Sequence, residues 1–233
     1  MSANASSAPL RAILFDVFGT LLDVHSVEAR AEQLFPGQGR RLSQLWRDKQ
    51  LEYTRLRALG GRYAPFTQVT EEALLYAGEA LGLDMDGAAR GLLMHEYTQL
   101  GAFADVVPAL RRLQDGGVTL GVLSNGDPGL LEDALHGAGI GEYLDVVLSA
   151  DAVHAYKVAP AVYELGPRSL RHPAGVILFV SSNGWDAVGA QWYGYRAFWV
   201  NRNGAPAERL GQEVARGASL ADAATYYFAE GGR

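Results

Sequence analysis

The chain has 233 residues, of which 48% are hydrophobic and 20% charged, and this balance is ordinary for a folded globular protein of one large or two small domains. Its formal net charge of −6 argues against a nucleic-acid surface, which needs clustered Lys and Arg, but leaves room for a small anionic ligand. The absence of cysteine excludes disulfides, thiolate nucleophiles and cysteine-bound metals.

The amino-terminal residues MSANASSAP are small and polar, unlike a signal peptide, and no apolar run is long enough to span a membrane. A cytoplasmic protein without a membrane partner is expected.

The first predicted element is a short buried strand from Ala12 to Phe15, which ends at Asp16. Further apolar runs predict strands at 118–123, 146–148, 176–180 and 197–200. Helical patterns lie between them, for example at 108–114, 129–136 and 185–193. This alternation predicts an α/β fold, with a parallel sheet covered by helices on both faces. Such sheets place their functional sites beyond the carboxyl ends of the strands.

The segment from His25 to Ala102 has a different pattern, without a convincing strand signal. Apolar residues at helical spacing, with the stem of a lysine among them, form an apolar stripe that predicts a helix. The stripe comprises Leu42, Leu45, Trp46, Lys49, Tyr53 and Leu56. We therefore predict a core domain formed by residues 10–23 and 104–233, and a helical cap subdomain formed by residues 24–103.

Polar side chains follow four of the predicted core segments. They are Asp16 with Thr20, Ser124 with Asn125, Lys157, and the run from Ser181 to Asp186. Each of these alone is more often a turn former, a helix cap or a solvated charge. Their joint occurrence at successive strand ends favours a functional site.

This ordered set resembles the haloacid dehalogenase superfamily, whose sheet carries Asp, Ser or Thr, Lys and a final acidic motif in this order. The resemblance covers nearly the whole chain and implies a Rossmann-like core. Five details narrow it to the L-2-haloacid dehalogenases: FDVFGTLLDVHSV, WRDKQLEYTRLR, LSNG, the pair Lys157 and Tyr163, and FVSSNGWDAVGA.

The position two residues after Asp16 argues against a metal. Phosphatases of this superfamily have a second aspartate there and an acidic pair in the last motif, which together hold Mg²⁺. Here Phe18 takes the first position and Asp186 has no acidic neighbour. We therefore expect no metal and no cofactor, and an electrophile other than phosphate.

The resemblance implies that Asp16 attacks Cα of an L-2-haloalkanoate and forms an ester. Water would then hydrolyse the ester and release a D-2-hydroxy acid. Lys157 would favour the charged form of Asp16. Arg47 and Asn125 would bind the departing halide, and Ser124 with the backbone N–H groups of Val17 and Phe18 would bind the substrate carboxylate.

Further roles follow from the same resemblance. The substrate side chain would contact three apolar residues: Leu51, Phe66 and Trp185. Thr20 would fix the Asp16 loop. The nucleophile and the hydrolytic water would be oriented by Lys157, Tyr163, Ser181, Asn183 and Asp186, with Asp186 favoured as the base. The family resemblance also implies a homodimer.

Two residues depart from the family pattern. Phe18 stands where tyrosine is usual, so a hydroxyl is missing there, and Val158 stands where proline usually follows the lysine. Two other functions remain open on the sequence: a Mg²⁺-dependent phosphatase or phosphomutase of the same fold, and a non-catalytic protein that binds a small acid.

Overall fold

A computed structural model describes residues 8–232. Most of the amino-terminal segment considered above for a signal peptide lies outside this range. Among the described residues, no helix combines the length and the apolar character needed to cross a membrane.

The core is one parallel sheet of six strands in the order β3-β2-β1-β4-β5-β6. The strands are β1 Ala12–Phe15, β2 Thr119–Ser124, β3 Val146–Ser149, β4 Ile177–Ser181, β5 Arg196–Val200 and β6 Ala215–Gly217. In β1 the residues Ile13 and Phe15 pack into one apolar cluster, and Ala12 and Leu14 pack into another on the opposite face. This alternation follows from the two-residue repeat of a strand, and the two buried faces explain why the strand reads as a continuous apolar run.

Helices cover both faces of the sheet, which confirms the predicted fold class. Five helices belong to this core: α5 Val106–Asp115, α6 Pro128–Gly137, α7 Pro160–Leu170, α8 Gly184–Tyr193 and α9 Leu220–Ala229. Helices α5 and α9 pack in the same cluster as Ile13, whereas α7 and α8 contribute Val162 and Ala190 to the cluster of Leu14. Short 3₁₀ turns lie at Val24–Ser26, Gly141–Tyr143, Ala150–Val153 and Ala174–Val176.

Four helices lie between β1 and α5, and we call them the helical insertion. They are α1 Val27–Leu34, α2 Gly39–Gly60, α3 Phe66–Ala80 and α4 Gly87–Glu96. The chain enters and leaves the insertion side by side. Leu22 and Ala102 form an antiparallel bridge, Asp23 N–H donates to the Gly101 carbonyl at 2.8 Å, and Phe103 N–H donates to the Leu21 carbonyl at 3.1 Å.

The five predicted strands are present, each with its ends within one residue of the prediction. The helix predicted from the apolar stripe is confirmed as α2. Not every apolar position of the stripe is buried: Leu42 and Trp46 are, but Leu56 is 55% exposed, and the buried face continues through Gln50 and Thr54 instead. Strand β6 and helix α9 were not predicted.

Candidate active site

The site lies where three adjacent strands end. Asp16 follows β1 directly, Ser124 is the last residue of β2, and Ser181 is the last residue of β4. Because β1 lies between β2 and β4 in a parallel sheet, these ends meet at one edge. Lys157 reaches the same edge from the loop that precedes α7. The sequence-based placement of polar groups at strand ends therefore leads to one site.

The Asp16 carboxylate is held on both oxygens. Its Oδ2 accepts hydrogen bonds from Thr20 Oγ1 at 2.8 Å and Asn183 Nδ2 at 2.9 Å, with Ser181 Oγ at 3.5 Å. Its Oδ1 accepts from Lys157 Nζ at 2.9 Å. The side chain is nearly buried. Thr20 also accepts from the backbone N–H of Ser182 at 2.8 Å, so it ties the Asp16 loop to the end of β4.

Lys157 lies between two carboxylates, with its Nζ 2.8 Å from Asp186 Oδ2 as well as 2.9 Å from Asp16 Oδ1. Burial alone would lower the pKa of Lys157, but the two carboxylates outweigh burial and raise it. Burial raises the pKa of Asp186, although the Lys157 ammonium opposes this effect. The Tyr163 hydroxyl donates a hydrogen bond to Asp186 Oδ1 at 2.7 Å. Burial, together with the negative charge of Asp186, keeps the pKa of Tyr163 well above its usual value.

A small pocket of about 20 Å³ lies against Asp16. It is lined by Asp16, Phe18, Arg47, Leu51, Phe66, Ser124, Asn125, Lys157, Asn183 and Trp185. The structure thus brings these predicted site residues to one surface. The other predicted residues are fully buried behind it: Val17, Thr20, Tyr163, Ser181 and Asp186.

Hydrogen-bond donors remain available around the pocket. Among the described residues, no acceptor binds the backbone N–H groups of Val17 and Phe18. Asn125 Oδ1 accepts from the Lys157 backbone N–H at 2.9 Å, which leaves the Asn125 amide nitrogen as the donor toward the pocket. Ser124 Oγ accepts from the Gly126 N–H at 3.1 Å, and its own hydroxyl hydrogen can still be donated.

Arg47 extends from α2 into the pocket, and both of its hydrogen-bond partners are neutral. Its Nη1 donates to Gln50 Oε1 at 2.6 Å and its Nη2 to the Phe18 carbonyl at 3.3 Å. Gln50 is fully buried and is fixed in turn, since its Nε2 donates to Thr70 Oγ1 at 2.6 Å. Arg47 is therefore oriented without neutralisation of its charge.

The sequence did not lead us to three residues that lie around Arg47 and the pocket: Gln50, Thr70 and Tyr97. The centroid of the Tyr97 ring lies 5.0 Å from that of Trp46 and 6.1 Å from that of Phe18. Burial raises the pKa of Tyr97, and the nearby Arg47 cation lowers it by less. A signal for Gln50 was present in the sequence. It lies four residues after Trp46, at a buried position of the helix that an apolar residue would normally occupy.

Comparison with known proteins gives the family. A family model for the haloacid dehalogenase-like hydrolases matches residues 10–194. The (S)-2-haloacid dehalogenase of Pseudomonas sp. strain YL is 46% identical over 203 residues, which cover 87% of this chain and 88% of that protein. The chain belongs to the haloacid dehalogenase-like hydrolases.

Solved structures of this family agree. One L-2-haloacid dehalogenase superposes with a TM-score of 0.93 at 51% identity, covering 95% of this chain and all of that one. The L-2-haloacid dehalogenase of Xanthobacter autotrophicus with chloropropionic acid covalently bound superposes with a TM-score of 0.87 at 34% identity, covering 93% of this chain and 97% of that one. The predicted resemblance to the L-2-haloacid dehalogenases is confirmed.

Within this hydrolase family the chain has a distinctive first motif. Phe18 stacks on Phe66 with ring centroids 5.6 Å apart, so an aromatic contact occupies the place where phosphatases carry a metal-binding acid. Asp186 is followed by Ala187, not by a second acid. In residues 8–232, no group of three or more His, Asp or Glu side chains is arranged to hold a metal ion.

Proposed function

We propose that this chain hydrolyses the carbon–halogen bond of L-2-haloalkanoates, giving D-2-hydroxy acids and halide without a metal. One observation carries the proposal: a buried carboxylate, Asp16, shares a small pocket with Arg47, whose hydrogen-bond partners are neutral. A nucleophile with a cation beside it suits a reaction that expels an anion. The names of the relatives support the same activity.

The first step is displacement at Cα. Asp16 Oδ2 has donors in Thr20 and Asn183, whereas Oδ1 has only Lys157. We therefore assign Oδ1 as the attacking atom, since its lone pairs are freer. The new bond joins Oδ1 to Cα while the halide leaves from the opposite side with the bonding electron pair, which inverts Cα. Arg47 and Asn125 stabilise the charge that develops on the halide.

The second step is hydrolysis of the resulting ester. Water attacks Cγ of Asp16 and gives one proton to Asp186. The bond from Cγ to Oδ1 then breaks, and Asp186 returns that proton to Oδ1, which becomes the hydroxyl oxygen of the hydroxy acid. Asp16 retains the oxygen of the water, and its carboxyl group loses the second water proton to solvent. The raised pKa of Asp186 suits a base, and Tyr163 positions that carboxylate.

The remaining pocket groups bind the substrate. Ser124 and the backbone N–H groups of Val17 and Phe18 hold its carboxylate. Leu51, Phe66 and Trp185 surround its side chain. Ser181 supports Asp16 together with Asn183.

The proposal has a structural part. The division into a core of residues 10–23 and 104–233 and a cap of residues 24–103 is supported by the paired crossing at Leu22 and Ala102. We also propose that the protein is a homodimer and that it is cytoplasmic. Sedimentation of the purified chain tests whether it is a dimer.

The decisive experiment measures halide release from L- and D-2-chloropropionate in EDTA, together with the chirality of the lactate. Release from the L isomer alone, giving D-lactate, is expected. No release in EDTA, with hydrolysis of phosphate esters on addition of Mg²⁺, would overturn the proposal in favour of a phosphatase. Binding of the acid without turnover would favour a non-catalytic protein.

A further inference from the structure

A second, larger cavity adjoins the pocket of Asp16. It has a volume of about 630 Å³ and lies in the cleft between the end of α2 and the core. Lys157 and Trp185 line both spaces. The Trp185 indole is therefore a wall shared by the small pocket and the larger cleft.

The cleft has apolar walls that face solvent. Leu59 of α2 is 87% exposed, and across the cleft Trp192 is 58% and Leu210 48% exposed. Grouped exposed apolar side chains on a soluble protein usually mark a binding surface. The continuity with the Asp16 pocket makes the substrate itself the fitting occupant.

A cation stands at the junction of the two spaces. The Arg55 guanidinium carbon lies 5.2 Å from the centroid of the Trp185 ring, so a cation–π contact joins α2 to α8 across the cleft. Arg55 is exposed and also lines the cleft. Glu208 also lines the cleft and opposes the charge of Arg55. The cleft therefore suits an uncharged alkyl chain, while the carboxylate of the substrate stays beside Ser124.

The size of the inner pocket adds a constraint. Its volume of about 20 Å³ is comparable with the space that one water molecule needs. A 2-haloalkanoate of any length is larger than this, so a wall must move when a substrate binds, and a longer side chain needs more of the space beyond that wall. Two apolar walls of the pocket, Leu51 and Trp185, also line a larger open cavity. The space behind Leu51 is bordered by charged side chains, whereas the space behind Trp185 has the apolar walls described above.

We propose that this cleft is the subsite for the apolar side chain of longer 2-haloalkanoates, and that Trp185, held by Arg55, is the gate between the subsite and Asp16. The inference rests on the proposed dehalogenase activity and adds its substrate class. Longer substrates move the indole aside and place their alkyl chain against Leu59, Trp192 and Leu210. Short substrates do not use the cleft.

The test uses two variants of the full chain that leave the proposed catalytic groups untouched. Ala58→Phe fills the cleft, and Leu210→Gln makes one wall polar. Leu92→Gln on α4 is the matched control, since Leu92 is 44% exposed and does not line the cleft. Halide release is measured with L-2-bromopropionate and L-2-bromohexanoate, and kcat/KM is compared.

A buried methylene contributes about fourfold to binding, and hexanoate has three more than propionate. We expect Ala58→Phe to lower kcat/KM for bromohexanoate about tenfold or more, and for bromopropionate less than twofold. Leu210→Gln should have the same selectivity with a smaller effect, and Leu92→Gln should leave both substrates unchanged.

Two results would overturn the inference. One is an equal effect of Ala58→Phe on both substrates, or none on bromohexanoate. The other is dissociation of an oligomer by Ala58→Phe or Leu210→Gln in sedimentation, because the cleft would then be a contact between copies. Failure of the wild type to release bromide from bromopropionate would instead refute the proposed function itself.

Discussion

Gln50 offers a direct test of how the charge of Arg47 is used. This buried amide accepts from Arg47 Nη1 at 2.6 Å and donates to Thr70 Oγ1 at 2.6 Å. Two substitutions distinguish the orientation of the Arg47 side chain from the availability of its charge. Gln50→Leu removes the hydrogen bond that orients Arg47, whereas Gln50→Glu keeps the shape of the side chain and places a carboxylate against the guanidinium.

The expected magnitudes follow from these contacts. A hydrogen bond to a charged group contributes about 1.5–3 kcal/mol, so Gln50→Leu should slow halide release about 10- to 100-fold. In Gln50→Glu the new ion pair has a Coulomb energy of about 4 kcal/mol at 4 Å in a partly buried site. This attraction competes with the departing halide for Arg47, so the slowing should be at least as large. The carboxylate stays charged because Arg47 is adjacent.

The assay is a single turnover with enzyme in excess. The release of halide reports the displacement step, and the appearance of hydroxy acid reports hydrolysis of the ester. Both variants should slow the first rate and leave the second nearly unchanged. Gln114→Glu, which adds the same charge at an exposed position of α5, is the control. Normal halide release from both Gln50 variants, with a lowered melting temperature, would refute this account and make Gln50 purely structural.

Four further outcomes are expected. Asp16→Asn should show no multiple turnover. In ¹⁸O-water, with wild-type enzyme in excess over substrate, the label should appear in Asp16. Label in the hydroxy acid would instead exclude the ester. The pKa of Lys157 is raised, so its side chain should stay protonated above the usual lysine pKa of about 10.4. The displacement step should therefore keep its rate near pH 10. Loss of this step already near pH 9 would contradict the prediction. The Tyr163 hydrogen bond lowers the pKa of Asp186, so Tyr163→Phe should move the acidic limb of ester hydrolysis to higher pH, and an unmoved limb would remove Asp186 as the base. Arg55→Met removes the contact that holds Trp185, so it should change kcat/KM for L-2-bromohexanoate more than for L-2-bromopropionate. An equal effect on both substrates would mean that Arg55 does not hold the gate.

The sequence predicted the parts of this protein that depend on short-range patterns. The strands appear as apolar runs because both faces of a parallel sheet are buried. Asp16, Ser124 and Ser181 follow such runs directly, so their meeting at one edge was predictable from strand order alone. The role of Arg47 came only from the resemblance, since its helix carries several other arginines.

Other features depend on contacts that no local pattern carries. Gln50 and Thr70 are 20 residues apart and meet only when α2 packs on α3. The apolar spacing on α2 predicts the helix but not its buried face, because the polar Gln50 and Thr54 are buried while Leu56 is exposed. Strand β6 has only three residues, too few for a two-residue alternation to be recognised.

The paired crossing at Leu22 and Ala102 has a consequence for how the chain folds. Ala12 of β1 pairs with Thr119 of β2, so the central strands close a loop on the order of 100 residues, and loop closure costs entropy that grows with the logarithm of the length. A helical insertion that has already folded brings its own ends together at this crossing. The loop left to close is then about fourfold shorter, which lowers the cost by about 1.2 kcal/mol, or about eightfold in rate. The crossing therefore favours an order of assembly in which the helices form before the centre of the sheet.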